Sequence, residues 1–309
     1  MKTVGSLIKR NVTLFFKDKG TLFTSLITPI ILLVLYATFL YNVYEDSLLS
    51  AIPEGVPVDD GVIKGLVGGI LLSSLLSVST VTVTFCANLI SVQDKVSGAR
   101  NDLTVAPVKP RSLAIGYFVA TLINGLLISL VATALGLLYL AITGWYLSFA
   151  DVLYLLLDVL LLTSFGVALS SLVCHPLKTQ GQISAVGSIV SAGYGFICGA
   201  YMPMSQFSQG LRNVLGFFPG TYGTSLVRNH ALKGALSELT GDGFPPEAVE
   251  GIRDTFDCNM SFFGNSVEIW QMYLIIFGAV ALLLGAYILV NVLGEKRKTK
   301  AKKDGAGTR

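Results

Sequence analysis

The chain has 309 residues, of which 52% are hydrophobic and only 13% charged, with a net charge of +3. That charged share is about half of what an ordinary soluble domain carries, and the mean hydropathy of +0.68 excludes a soluble globular protein and puts the chain in the membrane class. No glycine-rich loop is followed by Lys-Ser or Lys-Thr, and no histidine or acidic cluster is spaced for a metal. The chain is therefore expected to bind no nucleotide, metal or other cofactor of its own.

Residues 1–20 predict an amphipathic helix along the inner membrane surface. Val4, Leu7, Ile8, Val12 and Phe15 recur at helical spacing, with Lys2, Lys9, Arg10 and Lys17 among the other positions. A basic topogenic segment with no mechanical role is the plainer alternative. Six apolar runs long enough to span follow, at about 21–42, 63–92, 113–143, 150–173, 180–202 and 267–293. The first run has a basic start like a signal peptide, but it is too long and lacks a small-residue cleavage site, so it is expected to stay. The expected fold is an all-α integral membrane protein: the interfacial helix, a six-helix domain over 21–293, and a basic tail, 294–309.

Between the second and third runs lies a mixed-charge stretch, 93–112, while 65–92 and 113–143 contain no Asp, Glu, Lys or Arg. A short polar element held between two spans is fixed in position at the membrane face, where a soluble partner can exert force on it. With the N-terminus inside, inner segments hold 17 of the 22 Lys and Arg residues. The positive-inside rule then puts both termini in the cytoplasm.

The second run carries a polar stripe, Ser73, Ser77, Thr80, Thr84, Asn88 and Ser91, and the fifth a small-residue face, Ser184, Ser188, Ser191, Gly195 and Gly199. In lipid such faces let helices approach closely and hydrogen-bond. They signify either ordinary packing or a subunit interface and substrate path. Asp158 is the only acidic residue well inside a span, with no basic residue set mid-membrane to pair with it. It must face protein or water, and a structural hydrogen bond is preferred to a proton relay. His175 reads as a solvated turn residue. Cys86, Cys174 and Cys198 lie in or at the ends of apolar runs and Cys258 in a polar loop, so unpaired thiols are expected.

The region 203–266 is too broken for a further span. Its first half, with Phe207, Leu211, Phe217 and Phe218 punctuated by Gly210, Gly216, Pro219 and Gly220, predicts a helical dip into the outer leaflet, shielded there by protein or water. The second half, from Gly234 to Asn265, reads as a polar outer loop.

Taken in order, these pieces resemble the ABC transporter permeases of the type-2 exporter class. The resemblance rests on Leu7-Ile8-Lys9-Arg10, Lys17-Asp18-Lys19 and Pro29; on Asp94-Lys95 with Gly98, Leu103 and Pro107 to Arg111; and on Pro203 and Phe218-Pro219-Gly220-Thr221-Tyr222 through Arg228. It departs from relatives in reading Gln93-Asp94 where a Glu-Lys or Glu-Arg pair is usual, and in a longer outer loop before the last span. The resemblance implies a permease subunit, itself not an enzyme, in a bacterial cell membrane. Such a subunit pairs with a second permease, the same or related, and docks an ATPase that holds ATP and Mg²⁺. It implies a cytoplasmic coupling helix over 94–106, with Asp94, Lys95, Gly98, Arg100, Asp102, Leu103 and Pro107 as its contact set. Ser77, Thr80, Thr84, Asn88, Ser184, Ser188 and Gly195 would then line the path or dimer interface, with Phe217, Phe218, Pro219 and Tyr222 as an outer gate. The implied cargo is hydrophobic or amphipathic (a drug, lipid, peptide or glycan), and no nucleic acid partner is expected. A proton-coupled carrier using Asp158 and a non-transporting immunity or sensor protein are the competing readings.

Overall fold

The computed structural model describes residues 2–52, 58–105, 108–241 and 244–306. Pro107, the residue Ala106 before it, and the last three residues of the basic tail fall outside that set.

The chain folds as helices α1 (Lys2–Lys17), α2 (Lys19–Leu35), α3 (Tyr41–Ala51), α4 (Asp60–Val96), α5 (Ala99–Val105), α6 (Pro110–Thr143), α7 (Phe149–Cys174), α8 (Gln180–Ile197), α9 (Gln209–Leu215), α10 (Pro219–Gly241), α11 (Pro246–Thr255) and α12 (Ile269–Ala306). A π-helical turn, Tyr36–Leu40, joins α2 to α3. A small antiparallel hairpin, Met260–Phe262 with Asn265–Val267, precedes α12. Local chemistry sets the ends. Asp18 caps α2, accepting from the amides of Gly20 and Thr21, and Asp59 caps α4. Ser148 with Asp151 and Thr179 with Gln182 form capping boxes on α7 and α8. Pro110 begins α6, where its missing N–H costs nothing. Gly98 takes φ +82, a turn that only glycine makes without strain, and breaks α4 from α5.

Among the described residues, five helical segments are long and apolar enough to cross a membrane: Lys19–Ser50, Asp60–Val96, Pro110–Thr143, Phe149–Cys174 and Ile269–Leu293. The fifth sequence-predicted span becomes α8, of 18 residues, whose serines, glycines and glutamines leave it short of that standard.

Helix α4 is the axis of the subunit. Every residue from Gly65 to Asn88 is buried, because α2, α6, α7, α8 and α10 all pack against it. Helix α7 approaches closely at Gly166, where a Cβ would run into Thr84 and the backbone of Val81 and Thr80. At the opposite extreme α12 leaves Leu274, Phe277, Leu282, Ile288 and Leu289 exposed, the signature of a lipid-facing helix. Helix α1 does more than rest on a membrane surface. Its apolar stripe is buried on the bundle: Leu7 packs with Leu113 and Tyr117, and Phe15 with Val83, Ala87, Ile90 and Ile128.

The region 203–266 departs furthest from expectation. Helix α10 runs on to Gly241 and is buried for most of its length, and the segment read as a polar loop folds over it as α11 and the hairpin. Phe218, just before α10, packs on Phe165 of α7, and Lys233 near its other end pairs with Asp151. The helix therefore begins deep alongside α7 and rises antiparallel to it.

Candidate functional site

The contact set expected for a soluble partner divides in two. Asp94 and Lys95 are the last turn of α4, not the start of the short helix, and both are held by the chain itself. Asp94 is buried and accepts from both Nη atoms of Arg10 (2.7 and 3.1 Å) and from the Tyr117 hydroxyl (2.5 Å). This bidentate pairing raises the Arg10 pKa. Lys95 donates to the carbonyls of Cys174, His175 and Leu177 (3.2, 2.8 and 3.2 Å), closing the C-terminus of α7, where a cation is electrostatically favoured. The end of α4 is thus clamped to α1, α6 and α7 at once. The short helix is α5, Ala99–Val105, hinged at Gly98. Asp102 on it is exposed and Arg100 partly so, while Leu103 packs onto the patch formed by Leu7, Leu113 and Tyr117. Pro107 lies outside the described residues.

The polar stripe on α4 does not face outward. Ser77, Thr80 and Thr84 are fully buried within the subunit and Asn88 nearly so. Their hydroxyls are satisfied along the helix, donating to the carbonyls of Ser73 (2.7 Å), Ser77 (3.1 Å) and Val81 (2.7 Å). Asn88 donates to Ser170 and Ser171 on α7 (3.1 and 3.2 Å). With neighbours on every side, this polar face packs against helices of its own subunit. The α8 face differs. Ser184 and Ser188 are exposed and line an open groove of about 590 Å³ with Thr21 and Thr24 of α2, floored by Cys86, Leu89 and Gln93. Gly195 is not on that groove; the Tyr201 ring lies directly against it.

Asp158 is not alone, contrary to the sequence expectation. Its carboxylate meets His230 Nδ1 at 2.6 Å and accepts from the Tyr273 hydroxyl at 2.7 Å, and Tyr154 stacks on the imidazole at a centroid distance of 5.0 Å. This cluster joins α7, α10 and α12. An asparagine there still accepts from Tyr273 and donates to His230 in its Nε2–H tautomer. Asp158→Asn is accordingly expected to fold and function near the wild-type level. Asp158→Ala orphans two polar groups at about 1–3 kcal/mol each and should lower the unfolding midpoint in detergent. Abolished function in a well-folded Asp158→Asn protein would show that the titrating proton matters.

Two residues before His230 on α10, Arg228 is completely buried. It donates to Asp257 (2.8 Å) and to the carbonyls of Phe256 (3.2 Å) and Gly199 (2.7 Å). Asp257, at φ 53, also accepts from the amides of Met204 and Ser205 (2.6 and 3.0 Å). Asn229 donates to the Cys258 carbonyl (2.6 Å) and accepts from Arg253 (3.1 Å). The cap made by 199–208, α9, α11 and the hairpin is thereby stitched to α10. Cys258 is a free thiol, but it is buried inside this cap rather than presented by a loop, and burial pushes its pKa up to about 12.

The residues expected to form an outer gate are spread over this cap. Phe217 is 71% exposed and meets Phe262 and Phe263 edge-on. Phe218 packs between Phe165 and Tyr194, and Pro219 opens α10. Tyr222 is buried and donates to the Gly216 carbonyl (2.7 Å), locking the turn from within. Sequence reasoning missed Arg10, Arg228, His230 and Asp257. Arg228 carried one usable signal: it is the only charged residue between Arg212 and Lys233.

These features define a multi-pass helical membrane protein with a short helix exposed at one end and a folded cap at the other. Residues 52–287 match the ABC-2 family transporter proteins, and the chain belongs to that family. It is thus the membrane permease of an ABC transporter rather than an enzyme, and membership implies an ABC ATPase partner. No curated protein matches the chain.

Proposed function

We propose that the chain is the permease of an ATP-driven exporter, moving a hydrophobic or amphipathic substrate on energy supplied by a separate ATPase that binds ATP and Mg²⁺. The observation that carries the reading is the arrangement around α5. Its exposed side offers Asp102 to a soluble partner, while its other side lies against helices that α4 ties into one unit. Displacement of α5 is felt first by α1 and α6. Closure of an ATPase pair around nucleotide can then favour one arrangement of the membrane helices, through its differential affinity for that arrangement.

In this reading α8 is the sixth crossing. It starts just past the carbonyls that hold Lys95 and ends beside Gly199, which takes Arg228. Its 18 residues span about 27 Å, close to the roughly 30 Å of a hydrocarbon core. Both termini are cytoplasmic by the distribution of Lys and Arg, and the family resemblance suggests a bacterial cell membrane. Two permeases, identical or related, pair across the α2–α8 groove, whose hydroxyls Ser184 and Ser188 face the substrate path. The cap forms the outer gate.

A second reading, a proton-coupled carrier, is favoured by one observation, the Asp158–His230 pair. Reconstitution separates the two. The exporter reading expects an ATPase to co-purify and lipid vesicles to move amphiphiles only when ATP is supplied on the α5 side. Movement driven by a proton gradient with no ATPase present would replace it with the second.

A further inference from the structure

At the root of α5 lies a small cavity of about 20 Å³, with Lys95, Arg100 and His175 among the residues that line it. Its remaining lining includes Ser91, Ser171 and Asn291, and no carboxylate. The acid next in sequence, Asp94, is committed to Arg10 and Tyr117. Asp102 is exposed. Lys95 meets only carbonyl dipoles, and the Arg100 guanidinium has no ion-pair partner among the described residues. Both cations are near enough to act on His175, which lies outside the spans: burial first, then the charges of Lys95 and Arg100, lower its pKa. Two half-buried cations that share a cavity without a counter-ion repel each other, and the unscreened cost grows as the local dielectric falls.

We propose that this cavity is a binding site for a single small monovalent anion of the halide class. The size points to the ligand: a void of this volume suits one water-sized guest, about the size of a halide. Arg100 supplies the fixed charge from α5. Lys95, whose three N–H groups are already given to carbonyls, adds only its charge from α4, while hydroxyl and amide groups of α4, α7 and α12 offer neutral donors. An anion held there bridges α5 to the bundle by a link that the protein's own carboxylates do not supply.

The test uses the full chain purified in detergent. The unfolding midpoint is followed in sodium chloride against sodium gluconate at equal ionic strength, so that general screening cancels. Saturable binding to the folded state predicts a midpoint that climbs with the logarithm of chloride concentration. The climb should vanish in Arg100→Gln, survive in Arg100→Lys, and be untouched by Lys109→Gln at an exposed lysine nearby. Crystals of the wild-type chain grown in bromide should show an anomalous peak between Lys95 and Arg100, a readout independent of whether any variant folds. No chloride-specific climb, a climb that persists in Arg100→Gln, or a bromide crystal with no peak at that point would each overturn the proposal.

Discussion

Asp257→Ala is expected to cost about 3–5 kcal/mol of stability, the typical penalty for stranding one partner of a buried ion pair. Arg228, fully enclosed and 2.8 Å from that carboxylate, would be left with two carbonyls and an uncompensated charge. Two backbone amides, of Met204 and Ser205, would lose their acceptor as well. Arg228→Met should be similarly damaging, because Asp257 at positive φ is then a buried anion held only by amides. The paired replacement Arg228→Met with Asp257→Ala should be milder than the sum of the two, since no net charge remains buried. Unfolding midpoints of the three variants in detergent form a double-mutant cycle. Strict additivity would mean that the two residues do not act as a pair. The 199–205 segment and the end of α11 are thereby held to α10 as one body.

How much of this was legible beforehand varies with the range of the interactions involved. The long spans were legible because absence of charge over twenty or more residues is a local property. The short helix was also visible, but its start was misplaced by five residues. Asp94 and Lys95 look like the charged opening of a new element; in fact Arg10, 84 residues away, and the carbonyls near residue 175 draw them into the end of α4. The polar stripe of α4 was ambiguous for a different reason. Hydroxyls on a helix satisfy themselves against the preceding turn, so their spacing cannot distinguish an outward face from a helix enclosed on all sides. His230 was invisible as a partner for Asp158 because α10 is too polar to register as a membrane element. It is shielded by α4, α7 and α12 rather than by its own hydrophobicity.

The other large effect is expected at α5, where the two faces of a seven-residue helix make separable predictions. Asp102 is exposed, so Asp102→Lys should leave the fold intact and weaken capture of the ATPase, lowering its yield in co-purification together with transport. Leu103 is half-buried against Leu7, Leu113 and Tyr117. Leu103→Ala removes about 1–1.5 kcal/mol of apolar contact between α5 and the bundle, half of what a fully buried leucine gains. If that contact transmits the stroke, ATPase binding and hydrolysis persist while transport per ATP falls roughly tenfold, the factor corresponding to 1.4 kcal/mol. The measurement is the ratio of substrate moved to ATP hydrolysed in vesicles, with co-purification as the control for docking. A Leu103→Ala protein that loses its ATPase altogether would make this side chain part of the docking face. An unchanged ratio in both variants would mean that force enters the membrane domain elsewhere, with α1 the next element to test through Arg10→Gln and its clamp on Asp94.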